Sequence, residues 1–427
     1  MVLSLLIILL LIGLPIAFAI LATLFYFMAV GEFPYTLRLV STQLFSGLQS
    51  YPLLAIPLFI LAGELMNASG ITSRIITFTY VIVGKLRAGL ALVNIWASVI
   101  FAGLSGSAVA DTSAIGKVFI PEMEKWGYPR DFSAALTAAS SVIGPIIPPS
   151  IPVIIYALTV SGLSVPELFI AGIIPGILLA IFLSIYVMYF AGQYGHNENL
   201  EHQQDSVPVS KALLDGVIPI MMPIFVVGSI LLGVVTPTEA ASFAVAYAFF
   251  VGVFVTKELK LKNIPGIFST SMRDSAIIMI IIGAVAAANW LLNYNRVPNM
   301  ITDFALEYMT VKWMFLIGVL ILFLVVGLFL EGIAAMLVLV PILHPIAVAM
   351  GIDPVHFAII VIFNLMIGLI TPPMGLCLFV ADSIANVGLN KIIKRIIPFF
   401  FVEVIVLLVI TFVPETVTFL PNLLGMR

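Results

Sequence analysis

IGPIIPPS at Ile143–Ser150 is the stretch that decides the fold, and IGLITPPM at Ile367–Met374 is its echo. Both lie inside long apolar segments. Both place a glycine and two adjacent prolines where a membrane helix would otherwise run on. Proline has no N–H and its ring clashes with the turn before it, so Pro-Pro in mid-span breaks or unwinds the helix. In lipid, the freed backbone groups are costly unless protein, ions or water satisfy them. A broken helix at matching places in two halves is the sequence mark of a secondary transporter built from repeats.

The composition agrees with a membrane setting. Of 427 residues, 62% are hydrophobic and 9% charged, and the mean hydropathy is +1.23. A soluble chain of this size needs far more polar surface, so the protein reads as all-α and polytopic in a lipid bilayer. A net charge of −3 and the lack of a basic, aromatic-interleaved patch point away from nucleic acid. The single Cys377 excludes an internal disulfide and a multi-Cys metal site. There is no HExxH, no Walker motif and no paired intramembrane aspartate, so neither a hydrolase nor an ATPase is indicated. No Lys or Arg precedes the opening MVLSLLIILLLIG, which reads as a first span rather than a signal peptide.

Working outward, the first half (1–192) contains a segment at about 88–126 that is apolar at both ends and small and polar in the middle, GLSGSAVADTS at 103–113. Lys85 and Arg87 precede it and Lys125 and Arg130 follow. Matching basic flanks place both ends on the cytoplasmic side and make the segment a re-entrant hairpin. The broken helix spans about 131–163. Residues 193–211 form a polar cytoplasmic linker. The second half (212–427) repeats the plan, with a hairpin at about 313–350, a broken helix at about 355–387 and a last span at 397–420. A shift of 224 residues carries Gly103 onto Gly327, Pro121 onto Pro345, Gly144 onto Gly368, Pro148 onto Pro372 and Pro149 onto Pro373. About five crossings plus one hairpin per half is an odd count, so the repeat is expected to be inverted. Both termini are then periplasmic, with Lys85, Lys125, Gln203, Lys260 and Lys394 cytoplasmic and Lys312 and Asp353 periplasmic.

Interrupted helices bring bare carbonyls and helix ends to mid-membrane, where they bind a monovalent cation and an anionic substrate. One candidate cation site joins Ser105 and Ser107 to backbone oxygens near Gly144 and Ile147. The other joins Gly327 and Glu331 to Gly368, Thr371 and Met374, the methionine through its carbonyl. Hydroxyls and carbonyls are hard oxygen ligands that suit sodium, so at least two sodium ions are expected. For the substrate, the candidates are Asp111, Thr112, Pro148 and Ser150. An intramembrane charge such as Asp111 is functional by default. Its structural alternative is a partner for Lys117 or a helix cap. Asp382 and Glu403 are expected to pair with the basic cluster Lys391, Lys394 and Arg395. His344 and His356 are expected to be solvated at an outer mouth. Glu64, Asn67 and Glu239 are read as structural residues at span ends.

GLSGSAVADTSAIGKVFIPEM (103–123), Gly-Tyr-Pro-Arg-Asp-Phe (127–132), Asp353-Pro-Val-His-Phe357 and GLITPPMGL (368–376) carry a family likeness. The chain resembles the DctM-type large membrane subunit of a tripartite ATP-independent periplasmic (TRAP) transporter over essentially its whole length. The resemblance implies sodium symport and an elevator mechanism in the bacterial inner membrane. There, a domain of hairpins and broken helices slides against a scaffold. It implies two partners: a small four-helix membrane subunit, expected as a separate polypeptide, and a periplasmic substrate-binding protein that delivers an organic acid. Sialic acid, C4-dicarboxylates and other sugar or keto acids remain open as cargo. The competing reading is a stand-alone sodium/dicarboxylate symporter that needs no binding protein.

Overall fold

The computed structural model describes residues 5–6, 8–9, 12–30, 37–160, 162–191, 194, 209–308, 311–328, 330 and 332–426. Glu331 and most of the expected linker lie outside the described residues. The fold is all-helical, with no strand among the described residues. Seven of the described helices are long and apolar enough to cross a membrane.

The first half runs through α1 (Ile16–Val30), α2 (Leu37–Leu48), α3 (Ala55–Ala68), α4 (Ile71–Val83), α5 (Gly89–Ser105), α6 (Ala108–Lys125), α7 (Arg130–Ser141), α8 (Ile151–Thr159) and α9 (Val165–Phe190). The second runs through α10 (Val209–Leu231), α11 (Pro237–Phe250), α12 (Ile264–Tyr294), α13 (Val297–Tyr308), α14 (Lys312–Gly327), α15 (Gly332–Ala349), α16 (Pro354–Gly368), α17 (Leu376–Ala385), α18 (Leu389–Phe412) and α19 (Glu415–Leu423).

Local chemistry sets the boundaries. α5 stops at Gly106, whose φ of 61° is left-handed and open to glycine. Ser107 then caps α6, its hydroxyl accepting from the Ala110 amide at 3.4 Å. α7 gives way after Ser141 to turns through the Pro-Pro pair. Ser150 restarts the chain as α8, with its hydroxyl accepting from Val153 N at 3.2 Å. The second break is bridged by the Cys377 amide donating to Leu369 O at 3.0 Å. α11 begins with a capping box. Thr236 N donates to Glu239 Oε2 at 2.7 Å and Glu239 N donates to Thr236 Oγ1 at 3.3 Å.

α2 and α3 are joined by a 3-10 turn at Tyr51–Leu54, where Pro52 removes a donor. One boundary differs from the expectation. The last span starts at Leu389, so the basic cluster lies on its first turns, and it ends before Pro414.

The starts of α5 and α14, α6 and α15, α7 and α16, α8 and α17, and α9 and α18 lie 223 to 225 residues apart. Their contacts are exchanged as well: α6 packs on α17 while α15 packs on α8, and α18 packs on α7 while α9 packs on α16. The largest fully buried aromatic side chains, such as Phe101, Tyr156, Phe323 and Phe399, all come from this interleaved set. α12 lies alongside α1, α2 and α3 and forms a second layer with them. Exposed apolar side chains on the outer faces of α10 and α11, including Ile224, Phe225 and Phe243, suit a lipid environment.

Candidate functional site

The two layers enclose a cavity of about 480 Å3. One side carries four helix beginnings beside the closing residues of α5 (Phe101, Ser105) and α16 (Met366). Ala108, Val109 and Ala110 open α6, Ile151 and Pro152 open α8, Gly332 and Ile333 open α15, and Leu376 opens α17. The opposite wall carries Glu64 and Asn67 from α3 and Asp274 from α12. Each helix N-terminus carries roughly half a positive charge on its free N–H groups. Four of them around one cavity make a seat for an anion.

At the first hairpin tip the predicted residues meet. Asp111, in the first turn of α6, has no exposed surface. The Ser105 hydroxyl donates to its Oδ1, and the Ser107 amide donates to Ser105 Oγ at 3.2 Å. Asp111 Oδ2 has no hydrogen-bond partner among the described residues. It lies against Gly144, where an added Cβ would strike it. Lys117 is therefore not its hydrogen-bonding partner. Ser105, Ser107, Asp111 and Gly144 form one cluster. Ile147 turns its side chain onto Gly176 of α9 instead. An orphan carboxylate oxygen beside a hydroxyl and a helix break is a hard-oxygen environment that fits sodium.

At the second break Gly327 and Gly368 are in backbone contact. A Cβ on Gly368 would lie 2.9 Å from Gly327 Cα, and one on Gly327 would lie 3.0 Å from Gly368 Cα. The Thr371 hydroxyl donates to Ile367 O at 2.8 Å. The Met374 side chain is half exposed.

The substrate candidates divide. Thr112 donates to Ala108 O at 2.8 Å. Ser150 spends its hydroxyl on Pro145 O and on capping α8. Pro148 turns its carbonyl toward Gly103, 3.9 Å from where a Cβ would stand. Pro145, Ser105 and Ser107 line the cavity.

Several expectations are corrected. His344 and His356 are buried, not solvated. Tyr156 Oη and His344 Nδ1 are 2.8 Å apart, and His356 Nε2 is 2.9 Å from Ile410 O. Asp382 accepts from the Gly388 amide at 2.9 Å. Arg395 pairs with Asp131 at 3.0 Å, and Glu403 is buried with no hydrogen-bond partner among the described residues. Glu64 and Asn67 line the cavity rather than only closing a span. Asp274 went unnoticed, although a charge within the apolar run 261–294 was its signal.

A second cavity of about 200 Å3 lies between Gly47, Ser50 and Leu53 and the α12 residues Ile282, Val285 and Asn289. Ser50 and Leu53 are the register partners, at a shift of 224, of Asp274 and Ile277 in the larger cavity.

Helices that stop and restart at a cavity inside a multi-pass helical fold define a membrane transport protein. The chain belongs to the family described as tripartite ATP-independent periplasmic transporter, DctM component, which it matches over residues 3–416. It is 36% identical over 439 residues to the C4-dicarboxylate TRAP transporter large permease protein DctM of Rhodobacter capsulatus, covering 99% of this chain and 98% of that protein. It is 35% identical over 411 residues to the sialic acid TRAP transporter large permease protein SiaM of Vibrio cholerae serotype O1, covering 96% and 95%. The crystal structure of the Alcanivorax borkumensis YdaH transporter shares the fold, with a TM-score of 0.60 at 14% identity over 88% of this chain and 89% of that one. Members of this family are transporter subunits and not enzymes, and this chain is a multi-pass protein of the bacterial inner membrane.

Proposed function

We propose that this chain is the large permease subunit for sodium-coupled uptake of a small organic acid, working by an elevator motion. The observation that carries the reading is the wall of four helix N-termini on one cavity. Such a wall favours a carboxylate through backbone N–H groups, with no Lys or Arg among the lining residues. The relatives named for C4-dicarboxylates and for sialic acid both handle carboxylates, which supports a cargo of that class.

Two sodium ions are assigned to the two breaks. Ser105, Ser107, Asp111 and carbonyls near Gly144 would hold one. Carbonyls near Gly327, Gly368 and Met374 with Thr371 would hold the other. Bound sodium supplies positive charge beside the anion seat and ties substrate binding to the ion gradient. The exchanged contacts and near-constant helix offsets support an inverted repeat of hairpins and broken helices as the moving domain. α1–α3 and α12 would be the scaffold. Two cavities at register-related positions and of unequal volume fit one conformation of an alternating-access cycle.

A small membrane subunit and a periplasmic binding protein work with members of this family, and both are assigned as partners here. The test is reconstitution with labelled organic acid under an inward sodium gradient. The chain with both partners accumulates substrate and the chain alone does not. Full accumulation by the chain alone would replace this reading with the stand-alone symporter.

A further inference from the structure

Glu403 is the residue that sodium coupling leaves unexplained. It lies fourteen residues into α18, roughly 21 Å along the helix from its start at 1.5 Å per residue, and has no exposed surface. Neither carboxyl oxygen has a hydrogen-bond partner among the described residues. An ionised carboxylate left unpaired in such a place costs several kcal/mol, so the group stands there as the neutral acid. Packing does not demand it: the register partner of Glu403, 224 residues earlier, is Leu179, which is equally buried.

The surroundings decide what the acid can hold. α18 packs on α7, α9, α16, α17 and α19. On α7, Asp131 is taken by Arg395, eight residues before Glu403, and Arg130 by Glu124 at 2.8 Å. On α9, Tyr186 sets its ring edge-on to Phe399, one turn before Glu403, Tyr189 is exposed, and Glu167 lies in the first turn. On α16, His356 meets Ile410 O, seven residues after Glu403. On α17, Asp382 caps toward Gly388. On α19, Glu415 opens the helix. The remaining group is Cys377. Its thiol is buried, and its helix α17 packs on α18. No three His, Cys, Asp or Glu side chains among the described residues come together as a metal site. A dehydrated sodium ion needs several oxygens, whereas a proton needs only the one carboxyl.

We propose that Glu403 is a proton-binding site of the transport cycle. In the conformation described it carries the proton as the neutral acid. When α17 shifts, the Glu403 O–H bond breaks, water takes the proton, and the carboxylate remains until it is reprotonated from the other side. The route is short. Leu376 lines the cavity and opens α17, and α17 packs on α18, which carries Glu403. The inference rests on the chain being the moving subunit of an uptake system, and proton movement would accompany the sodium flux.

The experiment uses the full complex in proteoliposomes with an internal pH dye and labelled organic acid. Wild type shows a proton movement that tracks uptake and an uptake rate that depends on pH. E403Q keeps the shape and neutrality of the acid, so it retains substrate exchange but loses the proton signal and the pH dependence. E403D keeps both, with a displaced pH profile. An unchanged proton signal in E403Q, or sodium-driven wild-type uptake with no proton movement, overturns the proposal. Infrared spectra of the purified complex give a readout that needs no transport. A neutral carboxyl band at pH 7 that is lost in E403Q is expected, and its absence from wild type also overturns the proposal. Failure of wild-type uptake with that band present strikes the sodium-driven reading instead.

Discussion

Replacing Gly368 with alanine tests whether the second hairpin is seated directly on the second helix break. The new Cβ would stand 2.9 Å from Gly327 Cα and 3.3 Å from both Gly327 C and O. Carbon atoms in contact prefer about 3.5–4.0 Å, so the shortfall is roughly half an ångström or more. All three atoms are backbone, and no rotamer change can relieve the clash. The hairpin must therefore retreat from the break, and overpacking of this kind costs about 1–3 kcal/mol. If that strain falls on the ion-bound state, the sodium needed for half-maximal uptake rises roughly 5- to 150-fold. Gly144→Ala, its register partner, meets the Asp111 carboxylate, a side chain that can swing aside at the cost of its Ser105 bond. Gly144→Ala should therefore damage the first site through Asp111 rather than by splitting backbone from backbone. The assay is a sodium titration of uptake in proteoliposomes, normalised to protein in the membrane. Wild-type sodium dependence and maximal rate in Gly368→Ala would refute the reasoning.

Three further outcomes follow from the geometry. Ser105→Ala removes the hydroxyl that donates to Asp111, a bond to a charged group worth about 1.5–3 kcal/mol, and should raise half-maximal sodium by about ten- to a hundredfold. Thr371→Ala removes a hydroxyl bonded back to Ile367 O in the last turn of α16 and should cost about 1 kcal/mol, roughly fivefold in sodium affinity; equal effects in the two mutants would contradict the distinction. Asn94 donates to Thr137 Oγ1 at 2.8 Å and accepts from Ser140 at 3.0 Å, tying α5 to α7, so Asn94→Ala should lower stability by about 1–2 kcal/mol, read as a lower unfolding midpoint in detergent with sodium affinity unchanged. Single cysteines at Lys125 and Lys312, in a Cys377→Ser background, should be labelled by an impermeant reagent only from the inside and only from the outside respectively; the reverse pattern would sink the inverted repeat.

What was legible in the sequence is what local chemistry dictates. Pro148–Pro149 and Pro372–Pro373 announce broken helices because proline cannot donate to the ladder. The small, polar tip GLSGSAVADTS at 103–113, between matching basic flanks, announces a hairpin. The cluster of Ser105, Ser107, Asp111 and Gly144 was within reach because three of its four members are near neighbours in sequence. The remainder depends on residues brought together from distant positions. Nothing local says that Tyr156 meets His344, or that Glu64 and Asp274 share a cavity wall. Glu403 was assigned to the basic cluster by proximity in sequence. However, the helical turn aims it into the core while Arg395 reaches Asp131. Thr371 and Ser150 each spend a hydroxyl on a backbone carbonyl close by, as hydroxyls in membrane helices commonly do, and nothing in the sequence marks it.

The most direct measurement of the central claim is accumulation of labelled organic acid at varied external sodium, with the chain, the small subunit and the binding protein reconstituted together. The account predicts no accumulation without a sodium gradient, a sigmoidal rise with sodium reflecting at least two ions, and loss of the sigmoid when the Ser105 hydroxyl is removed. Accumulation that proceeds equally well with sodium replaced by choline on both sides would contradict it.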